Sequence, residues 1–270
     1  WDIDDKTTAI WQYYKSSEAD FLKDYFEREY EEDSTPPTYF LATRQMDAAT
    51  LSVQLDKRVN RFVDAVERLP EVSYNLPKIQ IGETGFYFND ATTVTNLAKV
   101  DANPTESRLK TVRVDTDNEL SYPLKISFVE LRPFVGTRHT YYSRTPDQDH
   151  FGTVRAIFDS GSDVSTKFFR IYDVKTNAMK LNIDRLRHVV TPSVAYLYTR
   201  DPSISKNRLD QYDSIDRLTG NHGLNFSLEN KLQTRRGDAS VDLARLVVGS
   251  DFRLKEDANP GGFNNVTADL

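Results

Sequence analysis

The chain has 270 residues, with 35 basic and 41 acidic side chains, so its formal net charge is −6 at pH 7. Nucleic-acid binding requires a basic surface facing the phosphates, so this balance argues against nucleic acid as a partner. Cysteine is absent, which excludes disulfides, thiolate zinc sites and cysteine nucleophiles. The longest apolar runs, such as residues 246–248, are far shorter than the roughly 18 residues of a membrane helix, whereas alternating membrane strands remain compatible with the composition.

The N-terminal part of the chain contains one segment with helical spacing. Aromatic and aliphatic residues recur every three or four positions within 17–31, and Ser17 precedes them as an N-cap residue, with Asp20 three residues later. A second short helix is predicted over 60–69, ending before Pro70. Both segments are interpreted as short loop helices that pack a few aromatic rings.

A period of two dominates the rest of the chain. Apolar and polar residues alternate in the segments 37–44, 50–57, 124–131, 192–199, 222–231 and 239–243. Such alternation predicts half-buried β-strands with one apolar and one polar face. Turn-forming residues cluster at 101–107, 145–150, 159–163, 201–207 and 257–262. The spacing indicates short connections at one end of the strands and longer connections at the other.

The sequence offers no pattern from which to assign a catalytic residue, a cofactor or a metal site. None of the four histidines has a metal-ligand spacing, and neither a nucleophile elbow nor a glycine-rich phosphate loop is present. Asp115, Asp117 and Glu119 resemble the start of a calcium loop, but Leu120 occupies the glycine position and no glutamate follows at position twelve.

A second acidic cluster lies further along the chain. Asp210, Asp213 and Asp216 recur at every third position. Carboxylates at this spacing have the chemistry to hold a divalent cation from a loop. A simpler interpretation is an ordinary solvated loop, and the sequence leaves both open.

Five stretches carry a family resemblance through their order along the chain. They are 20–26 (DFLKDYF), 67–71 (ERLPE), 131–142 (LRPFVGTRHTYY), 186–196 (LRHVVTPSVAY) and 212–218 (YDSIDRL). Together they resemble LptD, the family of outer-membrane lipopolysaccharide-assembly proteins also called organic solvent tolerance proteins. The stretch 186–196 is the most specific, and the resemblance covers roughly residues 15–235.

The resemblance implies an all-β fold, an antiparallel transmembrane β-barrel with short loop helices. Residues 1–270 are then expected to be one segment of an outer-membrane β-barrel domain, with the family's N-terminal jelly-roll and the remaining strands absent. Membrane strands of about 9–11 residues, plus their connections, predict about 11–13 strands here, or about half of a large barrel.

The resemblance also implies a function without bond making, so that the protein is not an enzyme. Family members receive lipopolysaccharide from periplasmic bridge proteins, through the N-terminal domain, and insert it into the outer leaflet of the bacterial outer membrane. The implied partners are lipopolysaccharide, the membrane, those bridge proteins and a plug lipoprotein of the LptE type. Some members link their domains by disulfides, for which this chain has no cysteine.

In such a barrel, the two faces of each strand meet different surroundings. The expected lipid-facing residues are Leu51, Val53 and Leu55 on one strand, and Leu224, Phe226 and Leu228 on another. The expected lumen-facing residues are Ser52, Gln54 and Asp56, and Asn225, Ser227 and Glu229. The polar set is expected to line a lumen large enough for a sugar-bearing headgroup.

Two other interpretations fit the same alternation. One is a soluble all-β binding module, a sandwich or solenoid that binds a glycan or protein ligand, because periodicity does not distinguish an apolar exterior from an apolar core. The other is a carbohydrate-active enzyme in which Asp213 and Asp216 serve as acid and base.

Overall fold

The computed structural model describes residues 1–102, 109–146, 152–177, 180, 182–237, 239–254 and 261–269. Its strands are β1 (Asp2–Asp4), β2 (Thr7–Gln12), β3 (Tyr39–Gln45), β4 (Thr50–Asp56), β5 (Ala65–Gln80), β6 (Tyr87–Val100), β7 (Lys110–Ser121), β8 (Leu124–Ile126), β9 (Val129–Tyr142), β10 (Thr153–Thr166), β11 (Phe168–Thr176), β12 (Ile183–Thr199), β13 (Asn221–Arg236), β14 (Ala239–Arg253) and β15 (Gly262–Asp269). The helices are α1 (Phe21–Tyr25), α2 (Glu27–Glu32) and a 3₁₀ turn at Lys206–Arg208.

All strands belong to one antiparallel sheet in which chain order is also spatial order. The path runs β1-β2-β3-β4-β5-β6-β7-β9-β10-β12-β13-β14-β15, with β8 pairing β9 and β11 pairing β12. The register against β9 is the same for β7 and β8, so these two form one interrupted strand. β10 and β11 likewise share one register against β12 as far as Tyr172, after which the register shifts by one residue. Among the described residues β1 and β15 do not pair, so the sheet is open. The predicted all-β antiparallel fold is confirmed and is consistent with a partial barrel.

The connections differ in length between the two ends of the sheet. Only a few residues separate consecutive strands at 46–49, 81–86, 127–128, 177–182 and 237–238. The longer connections occupy 13–38, 57–64, 101–109, 143–152, 200–220 and 254–261. Because successive antiparallel strands alternate in direction, each set lies at one end, as the turn spacing predicted. We refer to these as the short-turn end and the long-loop end.

The predicted short loop helices are confirmed in one of the two segments. Helical structure within 17–31 is divided between α1 and α2, because Phe26 leaves the helical region with φ −142° and ψ 58°. The Phe21 ring packs against Tyr25 and Phe26, with centroid distances of 5.3 and 5.8 Å. No helix in the described part of the chain has the length and apolarity needed to cross a bilayer.

The helix predicted over 60–69 is wrong. Residues 65–69 begin β5, where Ala65 pairs with Val100 and Arg68 with Leu97 on β6. Pairing with a long neighbouring strand therefore outweighs the weak local helical pattern. Pro70, which has no N–H to donate, lies where the register shifts between Arg68 and Glu71.

Two strand and turn boundaries also differ from the sequence prediction. The alternating segment 124–131 is a hairpin, because Ser127 takes a left-handed φ of 58° and reverses the chain between β8 and β9. The turn predicted at 159–163 instead lies inside β10, which is paired on both sides. Most of the turn residues predicted at 101–107, 145–150 and 257–262 lie outside the described residues.

Gly161 explains why a turn-like sequence forms a strand. A Cβ at this position would overlap the Tyr196 carbonyl oxygen and lie 2.6 Å from Cζ of Phe134. The missing side chain therefore provides the space in which β9, β10 and β12 approach one another.

We expect Gly161→Ala to lower the free energy of unfolding by about 1–3 kcal/mol, since the backbone must shift to relieve the overlap. Denaturant unfolding of the detergent-solubilised protein measures this change. Gly249→Ala is the matched control, because its Cβ would meet only the Thr267 hydroxyl at 3.3 Å and the Phe226 carbonyl at 3.5 Å. Equal stability of the two variants would contradict the close approach at Gly161.

Candidate functional site

The strand register separates the sheet into two faces of different chemistry. Directly opposed residues on antiparallel strands lie on the same face. One row across six strands consists of Val53, Val72, Val94, Val114, Tyr141 and Val154. The adjacent row consists of Ser52, Ser73, Thr93, Asp115, Thr140 and Arg155. Since neighbouring residues on a strand point to opposite sides, we call the face of the first row the apolar face and that of the second the polar face.

The residues expected to face lipid or lumen are distributed over these two faces. Leu51, Val53 and Leu55 lie on the apolar face of β4, and Leu224, Phe226 and Leu228 lie on the same face of β13. Ser52, Gln54 and Asp56, and Asn225, Ser227 and Glu229, lie on the polar face. Phe226 and Leu228 are 36% and 41% exposed, so the apolar face remains open over β13.

Ion pairs link neighbouring strands on the polar face. Arg138 on β9 reaches two carboxylates of β7, with Nη2 2.7 Å from Asp115 Oδ2 and Nη1 3.3 Å from Asp117 Oδ2. Arg132 Nη1 lies 2.7 Å from Glu119 Oε1 and also pairs with Asp163 on β10. The three acidic residues that resemble a calcium loop are therefore extended on β7 and engaged by arginines.

The long connection 200–220 folds back over the polar face. Arg155 of β10 is buried beneath it and donates hydrogen bonds to the carbonyl oxygens of Ile204 at 3.0 Å, Ile215 at 2.8 Å and Leu218. Tyr212 is buried within the same connection. One guanidinium thus fixes three separate points of the loop on the sheet.

A second cluster, which we call the loop latch, consists of Arg113, Tyr142, Asp213 and Asp216. Arg113 on β7 binds Asp213 through two bonds, Nη1 to Oδ1 at 2.8 Å and Nη2 to Oδ2 at 2.6 Å. Its Nη1 also lies 3.1 Å from Asp216 Oδ1, which accepts a hydrogen bond from the Tyr142 hydroxyl at 2.7 Å. This geometry is the bidentate arrangement in which arginine binds carboxylates most specifically.

Asp216 also shapes the loop itself. Its Oδ2 accepts hydrogen bonds from the backbone N–H groups of Tyr212 at 2.8 Å and Asp213 at 3.2 Å. Both carboxylate oxygens are therefore bonded, and the side chain is fully buried. Burial of a charge without such partners is strongly unfavourable, so the latch joins loop conformation to loop docking.

The interpretation of Asp210, Asp213 and Asp216 as an ordinary solvated loop is wrong for Asp216, which is fully buried. Asp213 is 20% exposed and bound to Arg113, and Asp210 is half-buried. Among the described residues, no group of three or more histidine and acidic side chains is arranged to hold a metal ion. The carboxylates of Asp213 and Asp216 are bound to the same guanidinium. This arrangement does not suit the carbohydrate-active enzyme, which needs one of them as a protonated acid.

Sequence reasoning missed Arg113, Tyr142 and Arg155. The alternation places each of them on the polar side of a strand, but it carries no signal for a partner that lies 100 residues away, as Asp213 does from Arg113. The alternation predicts that these three side chains are exposed, and they are buried because the loop 200–220 docks over them.

The protonation of Asp213 is coupled to the latch. Burial opposes its charge, but the hydrogen bonds and positive charge of Arg113 outweigh this effect and hold the pKa of Asp213 below its ordinary value of 3.8. A carboxylate with a lowered pKa stabilises the folded form above its ordinary pKa, and this contribution is lost as the pH falls through the folded value.

We expect Asp216→Ala to release the loop. The Tyr142 hydroxyl and the backbone N–H groups of Tyr212 and Asp213 all lose the carboxylate that accepts their hydrogen bonds. Breaking a buried ionic cluster of this kind costs about 3–5 kcal/mol. Limited trypsinolysis at Arg200, Lys206, Arg208 and Arg217 measures the release. Asp47→Ala is the control, because the ion pair between Asp47 and Lys6 lies on the surface, where the Asp47 carboxylate is exposed. Unchanged cleavage in Asp216→Ala would contradict the latch.

The lowered pKa of Asp213 leads to an expected pH dependence of loop docking. The chain has no cysteine, so Ser214→Cys gives a single labelling site on an exposed loop position. Fluorescence anisotropy of the label is expected to remain constant from pH 7 to pH 5 and to fall only below the ordinary carboxyl pKa of 3.8, as the pH approaches the lowered pKa of Asp213. Adding Asp213→Asn should remove this transition, and a transition that persists in that variant would assign it to another group.

Comparison with known proteins shows the family to which the chain belongs. No curated protein matches the chain. The family model described as LptD, LPS transport system D, matches residues 2–264. This is a Gram-negative outer-membrane family that transports and assembles lipopolysaccharide, and it is not an enzyme family. The match spans nearly the whole chain and agrees with its antiparallel sheet, so the chain belongs to the LptD family.

Proposed function

We propose that this chain forms part of the wall of the outer-membrane translocon that inserts lipopolysaccharide into the outer leaflet. The observation that carries the proposal is the unbroken apolar row from Val53 to Val154, backed on the opposite face by the polar row from Ser52 to Arg155. A wall between hydrocarbon and water needs these two chemistries on opposite sides of one sheet.

In this proposal the apolar face contacts acyl chains and the polar face lines an aqueous lumen. Val94, Tyr141 and Val154 are 43%, 39% and 56% exposed in the isolated sheet, as lipid contact requires. Backbone groups at the two open edges of the sheet must also be paired, since an unpaired group in hydrocarbon costs several kcal/mol. Residues 1–270 therefore act as one segment of a single barrel domain, closed by further strands.

The connection lengths support an orientation for this wall. Outer-membrane barrels have short periplasmic turns and longer extracellular loops. The short-turn end then faces the periplasm, and the loop 200–220 covers the polar face towards the cell exterior. Held by the latch, this loop acts as a lid over the part of the lumen lined by β7, β9 and β10.

Family membership supports the partners of the proposed function. Lipopolysaccharide reaches the wall from periplasmic bridge proteins, and a plug lipoprotein of the LptE type occupies the lumen. The polar face suits a sugar-bearing headgroup, because its ion pairs and hydroxyl groups offer hydrogen bonds that the apolar face lacks. The chain provides a conduit, and energy is supplied elsewhere.

A single sheet favours this proposal over a soluble binding module. A sandwich covers its apolar face with a second sheet, whereas the described strands contact only their neighbours along one sheet. An apolar face of this extent, left open to water, is unfavourable in a soluble monomer.

Arginine substitution on each face tests the assignment. We expect Val53→Arg and Phe226→Arg to destabilise the membrane-inserted protein by about 2–4 kcal/mol where the residue lies near the bilayer midplane, because the charge enters hydrocarbon. Gln54→Arg and Ser227→Arg, one residue away on the polar face, are the matched controls and should have small effects. Unfolding in lipid vesicles, followed by heat-modifiable gel mobility, measures the difference.

The comparison between faces is what decides the outcome. Equal losses at Val53 and Gln54 would contradict the proposed orientation, as would greater losses on the polar face. A soluble sandwich is distinguished separately, because it would remain in solution without detergent.

A further inference from the structure

The hairpin of β11 and β12 extends beyond the strand next to it. β10 is paired with β9 as far as Thr166, opposite Val129, where β9 begins after its turn at 127–128. Beyond Lys167 the chain continues as β11, which keeps the register of β10 against β12 as far as Tyr172. The register then shifts by one residue between Tyr172 and Lys175, and the pairing continues to Thr176. Among the described strands, only β12 pairs with β11. The opposite edge of β11 is thus left open over about 30 Å at the short-turn end.

This open edge differs from the two ends of the sheet. β1 and β15 are terminal strands, so further strands of a barrel can pair with them. The β11 edge lies inside the strand order, between β9 and β12. Closure of a barrel therefore leaves it uncovered, and another polypeptide must supply the missing strand if it is to be paired.

The side chains of β11 are apolar on both faces. Phe168 and Tyr172 lie on one face, and Phe169 and Ile171 on the other. Their exposed fractions range from 39% for Tyr172 to 59% for Phe169. A long, exposed and hydrophobic edge strand is a template for pairing with another chain.

The hairpin is also basic in a chain of net charge −6. Residues 167–190 contain six basic and two acidic side chains. The basic residues are Lys167, Arg170, Lys175, Lys180, Arg185 and Arg187. Arg170 stacks on Tyr172 and Arg187 on Phe169, with guanidinium-to-centroid distances of 5.2 and 4.6 Å. In the part of the chain that the structure describes, none of the six has an ion-pair partner, and Nε of Arg187 is buried without a hydrogen bond.

We propose that the open edge of β11 binds an extended acidic polypeptide segment, which adds a strand beside Phe168–Val174. The bound segment pairs its backbone with the edge, places apolar side chains against the exposed rings, and sets carboxylates near Arg170 and Lys175. This is strand addition, a recurring mode of peptide recognition in which the backbone gives affinity and alternate side chains give specificity.

The charges and the open backbone select this occupant over two others. A second copy of the hairpin would bring like charges together along the shared edge, which is unfavourable. A lipid surface attracts basic and aromatic side chains, but it offers no partner for the backbone groups of the edge, which are costly to bury in hydrocarbon. An acidic strand provides carboxylates for the basic side chains and backbone partners for the open edge of β11. This argument does not depend on the proposed transport function.

The test uses the protein in nanodiscs of neutral lipid and a fluorescein-labelled decapeptide of alternating glutamate and valine. Two further peptides are the controls: one with lysine in place of glutamate, and one with alternate backbone amides N-methylated. Binding is measured by anisotropy, and the binding site is located by hydrogen–deuterium exchange. The variant Arg170→Glu with Lys175→Glu is compared with Lys23→Glu with Arg28→Glu, an equal charge change on α1 and α2.

We expect the glutamate peptide to bind and to slow exchange of the amides of Phe168–Val174. Binding should weaken at least tenfold with the N-methylated peptide and in the Arg170/Lys175 variant, but should be unchanged in the Lys23/Arg28 variant. The proposal is overturned if β11 exchange is unaffected, or if the lysine or N-methylated peptide binds equally well. It is also overturned if phosphatidylglycerol nanodiscs alone slow β11 exchange, which would make lipid the occupant.

Discussion

The constraint on which the structure depends is the pairing of backbone N–H and C=O groups between neighbouring strands. Each register decides which side chains share a face, because a shift of one residue moves every side chain to the opposite side. The six-strand row from Val53 to Val154 stays apolar only because five successive registers agree. The two-faced wall is therefore a property of the ladder as a whole and not of any single strand.

The loop latch fixes the loop 200–220 in one position on the polar face, at the long-loop end of the sheet. Arg113 and Arg155 are fully buried although both lie on the side proposed to face water. Such burial is tolerated because Asp213, Asp216 and three backbone carbonyls satisfy the two guanidinium groups. A buried ionic network is a weak source of stability but a strong source of a unique arrangement in some proteins. The latch therefore accounts for where the loop 200–220 docks more than for the net stability of the fold.

Sequence patterns predicted the parts of this structure that depend on near neighbours. The alternation in 50–57 and 222–231 gave both the strands and the two sets of residues that share a face. The pattern failed at 60–69 and at 159–163, where pairing with β6 and close packing around Gly161 decide the outcome. It also failed for Asp216, because nothing near that residue in the sequence indicates the distant Arg113 and Tyr142.

The net charge of −6 is distributed unevenly, because segments at the two ends of the sheet carry charge of opposite sign. Residues 16–33, in the long-loop connection that carries α1 and α2, contain eight acidic and two basic side chains. Residues 167–190, at the short-turn end, contain six basic and two acidic side chains. Between them, the carboxylates of β7 are paired with arginines of β9. Because unpaired charge is concentrated at the ends, charged partners are expected to meet cations at the short-turn end and anions at the long-loop end.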